Sequence, residues 1–100
     1  PGSYQLAGRT VIVDEAAARL PDGTLAGSTL TMAQAVQNTV AFSGCTLAEA
    51  LSMATATPAN VLGLARKGRL VPGCDADLVV FDETFAVTHT FVGGQLMFEA

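Results

Sequence analysis

One hundred residues are enough for one small domain and too few for two. A net charge of −4, a sequence pI near 4.6 and only five basic residues exclude a phosphate-neutralising nucleic-acid surface. No apolar run approaches the roughly 20 residues that cross a bilayer, and neither a signal peptide nor a disulfide or zinc spacing is present, which points to a cytoplasmic protein with Cys45 and Cys74 as free thiols.

From the N-terminus, YQLAGRTVIVDE reads as extended chain. β-Branched Thr10, Val11, Ile12 and Val13 mark a strand, and Gly8 marks a turn or bulge. EAAARL, residues 15–20, has helix-forming composition but is boxed between that strand and the turn signal Pro21-Asp22-Gly23, so a strand or irregular return is predicted. LPDGTLAGSTLT, residues 20–31, then passes from strand to helix through small residues. Gly23 and Gly27 carry no Cβ, so the backbone there can take positive φ and come close to a bound group. A hairpin turn followed by an ordinary capped helix explains the same residues.

A helix is predicted from Thr31 or Met32 to Phe42. Thr31 and Gln34 stand at capping-box spacing, and Met32, Ala35, Val36 and Val40 share one face with Thr39. Gly44 ends it. Thr46 and Glu49 repeat the spacing, and Leu47, Ala50, Leu51, Met53 and Ala54 give a second helix its buried stripe. Thr57 as N-cap and Pro58 at the first helical position predict a third helix, ended by Gly63.

Beyond it lies the one tight basic group, Arg66, Lys67 and Arg69, read as a solvated turn. Leu78 to Phe81 forms a continuous apolar strand, read as buried. Val87, His89 and Phe91 alternate with Thr88, Thr90 and Val92, and Gly93-Gly94 turns the chain into Gln95 to Phe98. Strands, three helices and strands again describe an α+β arrangement or a piece of something larger.

Catalytic residue sets are missing. One histidine, His89, cannot build a metal site, and no GxSxG elbow presents a serine. Neither cysteine has a basic neighbourhood to activate it. Asp75, Asp77 and Asp82 cluster in sequence, but carboxylates accepting backbone N–H groups at turns explain them.

Two passages carry a resemblance. TPANVLGLARKGRLVPGCDADLVVFD, residues 57–82, resembles the C-terminal signature of the amidohydrolase superfamily. LPDGTLAGSTLTMAQAVQN, with the following FSGCTLAEALSMAT, resembles the matching region of the N-acetylglucosamine-6-phosphate deacetylase family. The fold implied is α/β: the C-terminal fragment of a (β/α)8 barrel, contributing its last helices, plus strands of a small β-sandwich domain. Residues 1–21 would be sandwich or barrel-edge strands, 22–65 the substrate loop and terminal barrel helices, and 66–100 the C-terminal sandwich strands.

The activity implied is hydrolysis of the acetyl group from N-acetylglucosamine 6-phosphate in amino-sugar catabolism. In that family a divalent metal, zinc or similar, activates water and an Asp serves as general base. Those ligands and that Asp lie upstream and have no counterpart here, so the segment alone is expected to be inactive. The family's substrate-binding tripeptide falls on Leu25, Ala26 and Gly27. The implied partners are the phosphorylated amino sugar, the N-terminal barrel of the same protein and a second copy in a homodimer, with no nucleic acid or membrane. Another amidohydrolase tail, such as that of a deaminase or related deacetylase, and a non-catalytic β-rich binding module are the alternatives.

Overall fold

Dense β-branching at residues 10–13 produces the strand it predicts. In the computed structural model, which describes residues 1–100, β1 (Gly2–Leu6) and β2 (Arg9–Val13) form an antiparallel hairpin pairing Leu6 with Arg9. Its two turn residues, Ala7 and Gly8, sit at φ 50° and 77°, the hand that matches the right-handed twist of the strands. The return segment begins with a turn in which the Asp14 carboxylate accepts the N–H groups of Ala16 and Ala17. Two short strands follow, β3 (Ala18–Arg19) and β4 (Leu25–Gly27), completing a sheet of order β1-β2-β3-β4. Residues Pro1–Thr31 make up one unit of the chain and Met32–Ala100 a second.

The second unit opens with α1 (Met32–Ser43), starting where predicted, and α2 (Leu47–Ala54). The capping box on α2 is complete: Thr46 Oγ1 accepts the Glu49 N–H at 3.1 Å, and Glu49 Oε1 accepts the Thr46 N–H at 3.1 Å. α3 (Ala56–Val61) departs from expectation. Its N-cap is Thr55, which also caps the end of α2, so Pro58 occupies the third helical position instead of the first. Proline is tolerated there because the opening N–H groups of a helix have no intrahelical partner. Gly63, at φ 69°, terminates α3: its N–H donates to Asn60 and the Leu64 N–H donates to Ala59, the paired bonds of a Schellman end.

Strands β5 (Leu78–Phe81), β6 (Val87–Val92) and β7 (Gln95–Glu99) form a second antiparallel sheet in that order. Gly93-Gly94 makes the predicted two-residue turn between Val92 and Gln95. The strict alternation predicted for β6 is broken by register shifts against both neighbours. His89 and Phe91 do share a face, with ring centroids 6.5 Å apart and nearly parallel planes. Between β5 and β6, Phe85 takes φ 65°, an uncommon conformation for a bulky residue, and stacks on Phe81 at 5.2 Å.

Little of either unit is core. The buried apolar residues are Val11 and Ala17 in the first unit and Val36, Ala50 and Ala59 in the second, none larger than valine. The predicted buried stripe of α2 is fully buried only at Ala50, with Leu51 and Ala54 half-buried, and the apolar strand β5 is not buried, with Val79 and Val80 exposed. Twenty large hydrophobic residues remain exposed, from Leu47 at 40% to Phe42 at 84%. Burying one such side chain contributes about 1.5–3 kcal/mol, so most of the stabilisation this composition could supply is unrealised. The isolated 100-residue chain is therefore expected to bind a hydrophobic dye and to melt without a sharp transition. A cooperative melt with no dye binding would contradict this.

Candidate functional site

Leu25, Ala26 and Gly27 form β4, the edge strand of the first sheet. The outer side of such a strand presents backbone N–H and C=O groups without a strand partner. The register pairs Arg19 with Leu25 and Ala18 with Gly27, so Ala26 is the extra residue of a β-bulge. Bulges re-aim the chain and recur beside active sites. Gly27 does not use the positive φ expected of it; among the glycines of this loop only Gly23 does, at φ 90°. What Gly27 contributes is space, since a Cβ built there would meet nothing within 4 Å.

The turn before β4 is closed by several bonds. The Leu20 N–H donates to the Thr24 carbonyl at 2.8 Å and the Gly23 N–H to the Leu20 carbonyl at 2.9 Å. Asp22 Oδ1 accepts the Thr24 N–H at 2.9 Å, and Arg19 Nη1 donates to the Gly23 carbonyl at 3.1 Å. Hydrogen bonds from Thr24, side chain first and then backbone, hold the Asp22 carboxyl below its usual range. A concavity of about 340 Å³ lies beside the turn, lined by Arg9, Thr10, Leu20, Pro21 and Asp22.

The aspartates of the second unit are engaged elsewhere. Asp82 Oδ1 accepts from the Thr84 N–H and hydroxyl and from the Ala86 N–H, the turn role expected of it. Asp75 departs from expectation, and Asp77 only in part, because the basic group is not merely solvated. Arg66 Nη2 lies 2.7 Å and Lys67 Nζ 2.9 Å from the Asp75 carboxylate, and Lys67 also pairs with Asp77. Asp77 Oδ1 accepts the Gly93 N–H at 2.8 Å. Charge complementarity between residues 66–67 and 75–77 was the signal available in the sequence for this network.

No group of three His, Cys, Asp or Glu side chains comes together in a way that could hold a metal ion. Cys45 and Cys74 are free and half-buried, and no helix is long and apolar enough to cross a membrane. A groove of about 650 Å³ between α2 and the second sheet is lined largely by apolar residues, among them Leu51, Leu70, Val79, Phe81 and Phe91. Backbone edge, turn and groove are surfaces for contact. Their carboxylates, Asp22 at the turn and Asp77 at the groove, are engaged by backbone N–H groups and by Lys67.

Residues 11–97 match the Amidohydrolase family. The chain is 43% identical over 95 residues to N-acetylglucosamine-6-phosphate deacetylase of Lysinibacillus sphaericus, covering 95% of this chain and 24% of that protein. It is 41% identical over 96 residues to the putative N-acetylgalactosamine-6-phosphate deacetylase of Escherichia coli K12, covering 95% of this chain and 58% of that one. Among solved structures, the Thermotoga maritima N-acetylglucosamine-6-phosphate deacetylase superposes with a TM-score of 0.81 at 39% identity, over 99% of this chain and 27% of that one. A Mycobacterium smegmatis deacetylase mutant, solved with N-acetyl-D-glucosamine-6-phosphate, superposes at 0.76 and 39% identity, over 95% of this chain and 26% of that one.

The Asp77 network has a pH signature. Its carboxyl is held below 3.8, chiefly by Lys67 and then by the Gly93 N–H, while Lys67 is held above 10.5, chiefly by Asp77 and then by Asp75. A lowered carboxyl stabilises above its unfolded value and loses that contribution as pH falls through the folded one; a raised lysine does so below its unfolded value and loses it in strong base. In the complete protein, Asp77→Asn should lower the unfolding temperature near neutral pH, and the gap to wild type should narrow as pH falls below about 3.8. A gap independent of pH in thermal melts would show that the charge of Asp77 contributes nothing.

Proposed function

This chain belongs to the amidohydrolase family, and from that premise we propose that it is the C-terminal part of a deacetylase converting N-acetylglucosamine 6-phosphate to glucosamine 6-phosphate and acetate. The observation that carries this reading is the 43% identity to such a deacetylase over 95% of the chain. The chain spans only 24% of that relative, so the activity proposed is that of a longer protein.

On this reading α1, α2 and α3 are the last helices of a (β/α)8 barrel, β1 to β3 are strands of a small β-sandwich or of the barrel edge, β4 lies in the substrate loop, and β5 to β7 are sandwich strands. Residues 1–21, 22–65 and 66–100 are the corresponding parts. The exposed apolar residues favour it: Met32 and Phe42 on α1, Val79 and Val80 on β5, and Leu96 and Phe98 on β7 call for cover that these 100 residues do not provide.

Leu25, Ala26 and Gly27 are the substrate-binding residues in this proposal. An acetamido group carries one N–H and one C=O, the pair of groups an edge strand recognises with its backbone. The chemistry belongs elsewhere. Deacetylation in this family draws on a divalent metal, zinc or similar, but the aspartates here are occupied by cations and backbone donors and form no ligand set. The segment by itself is therefore inactive and serves to shape the pocket. A cytoplasmic setting belongs to the proposal because a sugar phosphate is an anion that does not cross a bilayer unaided, and so does a homodimer of the complete enzyme.

The galactosamine epimer is a second substrate to weigh, since a relative 41% identical is named for it. The test is acetate release by the complete, metal-loaded protein from the 6-phosphates of both N-acetyl sugars. Acetate from N-acetylglucosamine 6-phosphate at the higher kcat/KM is expected. Preference for the epimer would move the assignment to that sugar, and release of ammonia from a nucleobase with no acetate from either sugar would overturn it.

A further inference from the structure

The ladder that carries Leu25 to Gly27 is thin. β3 has two residues, and the bulge leaves Ala26 without a partner on it, so pairing alone defines the course of β4 weakly. The chain entering β4 is set by the turn at residues 20–24. Two backbone bonds close that turn, and two side chains hold it from either side.

Arg19 reaches from β3, where it stands opposite Leu25, to the carbonyl of Gly23 at the turn tip. Asp22 takes the N–H of Thr24, the residue immediately before the tripeptide. Gly23 is held in a left-handed conformation between them. Without these two contacts the tip could rotate, and the bulge at Ala26 would lose its fixed register.

We infer that Arg19 and Asp22 are positioning residues for substrate binding, clamping the 20–24 turn so that the backbone of Leu25, Ala26 and Gly27 meets the bound sugar at a fixed angle. Neither touches the substrate. The inference rests on the proposed role of that tripeptide, and the test separates the two.

In the complete enzyme, Arg19→Met should raise KM for N-acetylglucosamine 6-phosphate about two- to tenfold, the size of one modest hydrogen bond, with kcat near wild type. Arg19→Lys should restore KM, because the contact is a single N–H to a single carbonyl and needs no guanidinium fork. Asp22→Ala should behave as Arg19→Met does and Asp22→Asn as wild type, since an amide oxygen still accepts the Thr24 N–H; this pair decides the matter if Arg19→Met does not fold. Gly27→Val serves as the control on the tripeptide itself, as a Cβ at this position meets nothing within 4 Å in this fold. An unchanged KM in Arg19→Met, alongside a raised KM in Gly27→Val, overturns the clamp and leaves the tripeptide standing. An unchanged KM in both overturns the tripeptide's role and the clamp with it. A fall in kcat and unfolding temperature that Lys does not rescue also overturns the clamp, by showing a role in folding alone.

Discussion

Asp77 ties the helical half of residues 32–100 to its sheet. One carboxylate oxygen pairs with Lys67, on the turn that follows α3, and the other accepts the N–H of Gly93, in the turn between β6 and β7. Parallel bonds run beside it: Arg66 to Asp75, the Asp75 N–H to the Arg66 carbonyl, and the Gly94 N–H to the Ala76 carbonyl. Gly68 lets the basic turn lie against the α2–α3 junction, because a Cβ there would come within 2.7 Å of the Thr55 carbonyl oxygen. Ion pairs this open to water are strongly screened, so even a network of three cannot replace a core whose largest buried side chain is valine. The elements are placed by polar clasps and turns, with their apolar faces largely uncovered.

That constraint separates what the sequence made legible from what it hid. Local signals were readable because they act within a few residues: the Thr46–Glu49 capping box, the Gly63 helix end and the Gly93-Gly94 hairpin each depend on neighbours alone. Pro58 misled because α2 and α3 share Thr55 as a joint cap, and nothing in a capping pattern reports that two helices abut. The bulges at Ala26 and in β6 were invisible for a related reason, since register is a property of two strands at once. Burial was overestimated on α2 and β5 because apolar periodicity says which face wants cover and is silent on whether the cover lies within the same 100 residues.

The candidate site follows the same division. Small residues at 23–27 drew attention to a backbone surface, and positive φ was expected of both glycines where only one uses it. Gly23 turns the chain at positive φ, and Gly27 only leaves room. Of the residues that hold this turn, Asp22 stood in the Pro21-Asp22-Gly23 turn signal, whereas Arg19 suggested no role by itself. Their contacts are legible only when the turn is seen closed.

Amide hydrogen exchange on the complete protein, with and without a non-hydrolysable analogue of N-acetylglucosamine 6-phosphate, would test this account most directly. Exchange should slow at residues 25–27 when the analogue binds and stay unchanged at the turns joined by Asp77. Slowing confined to other parts of the protein, with residues 25–27 unaffected at saturating analogue, would contradict the claim that this edge strand meets the substrate.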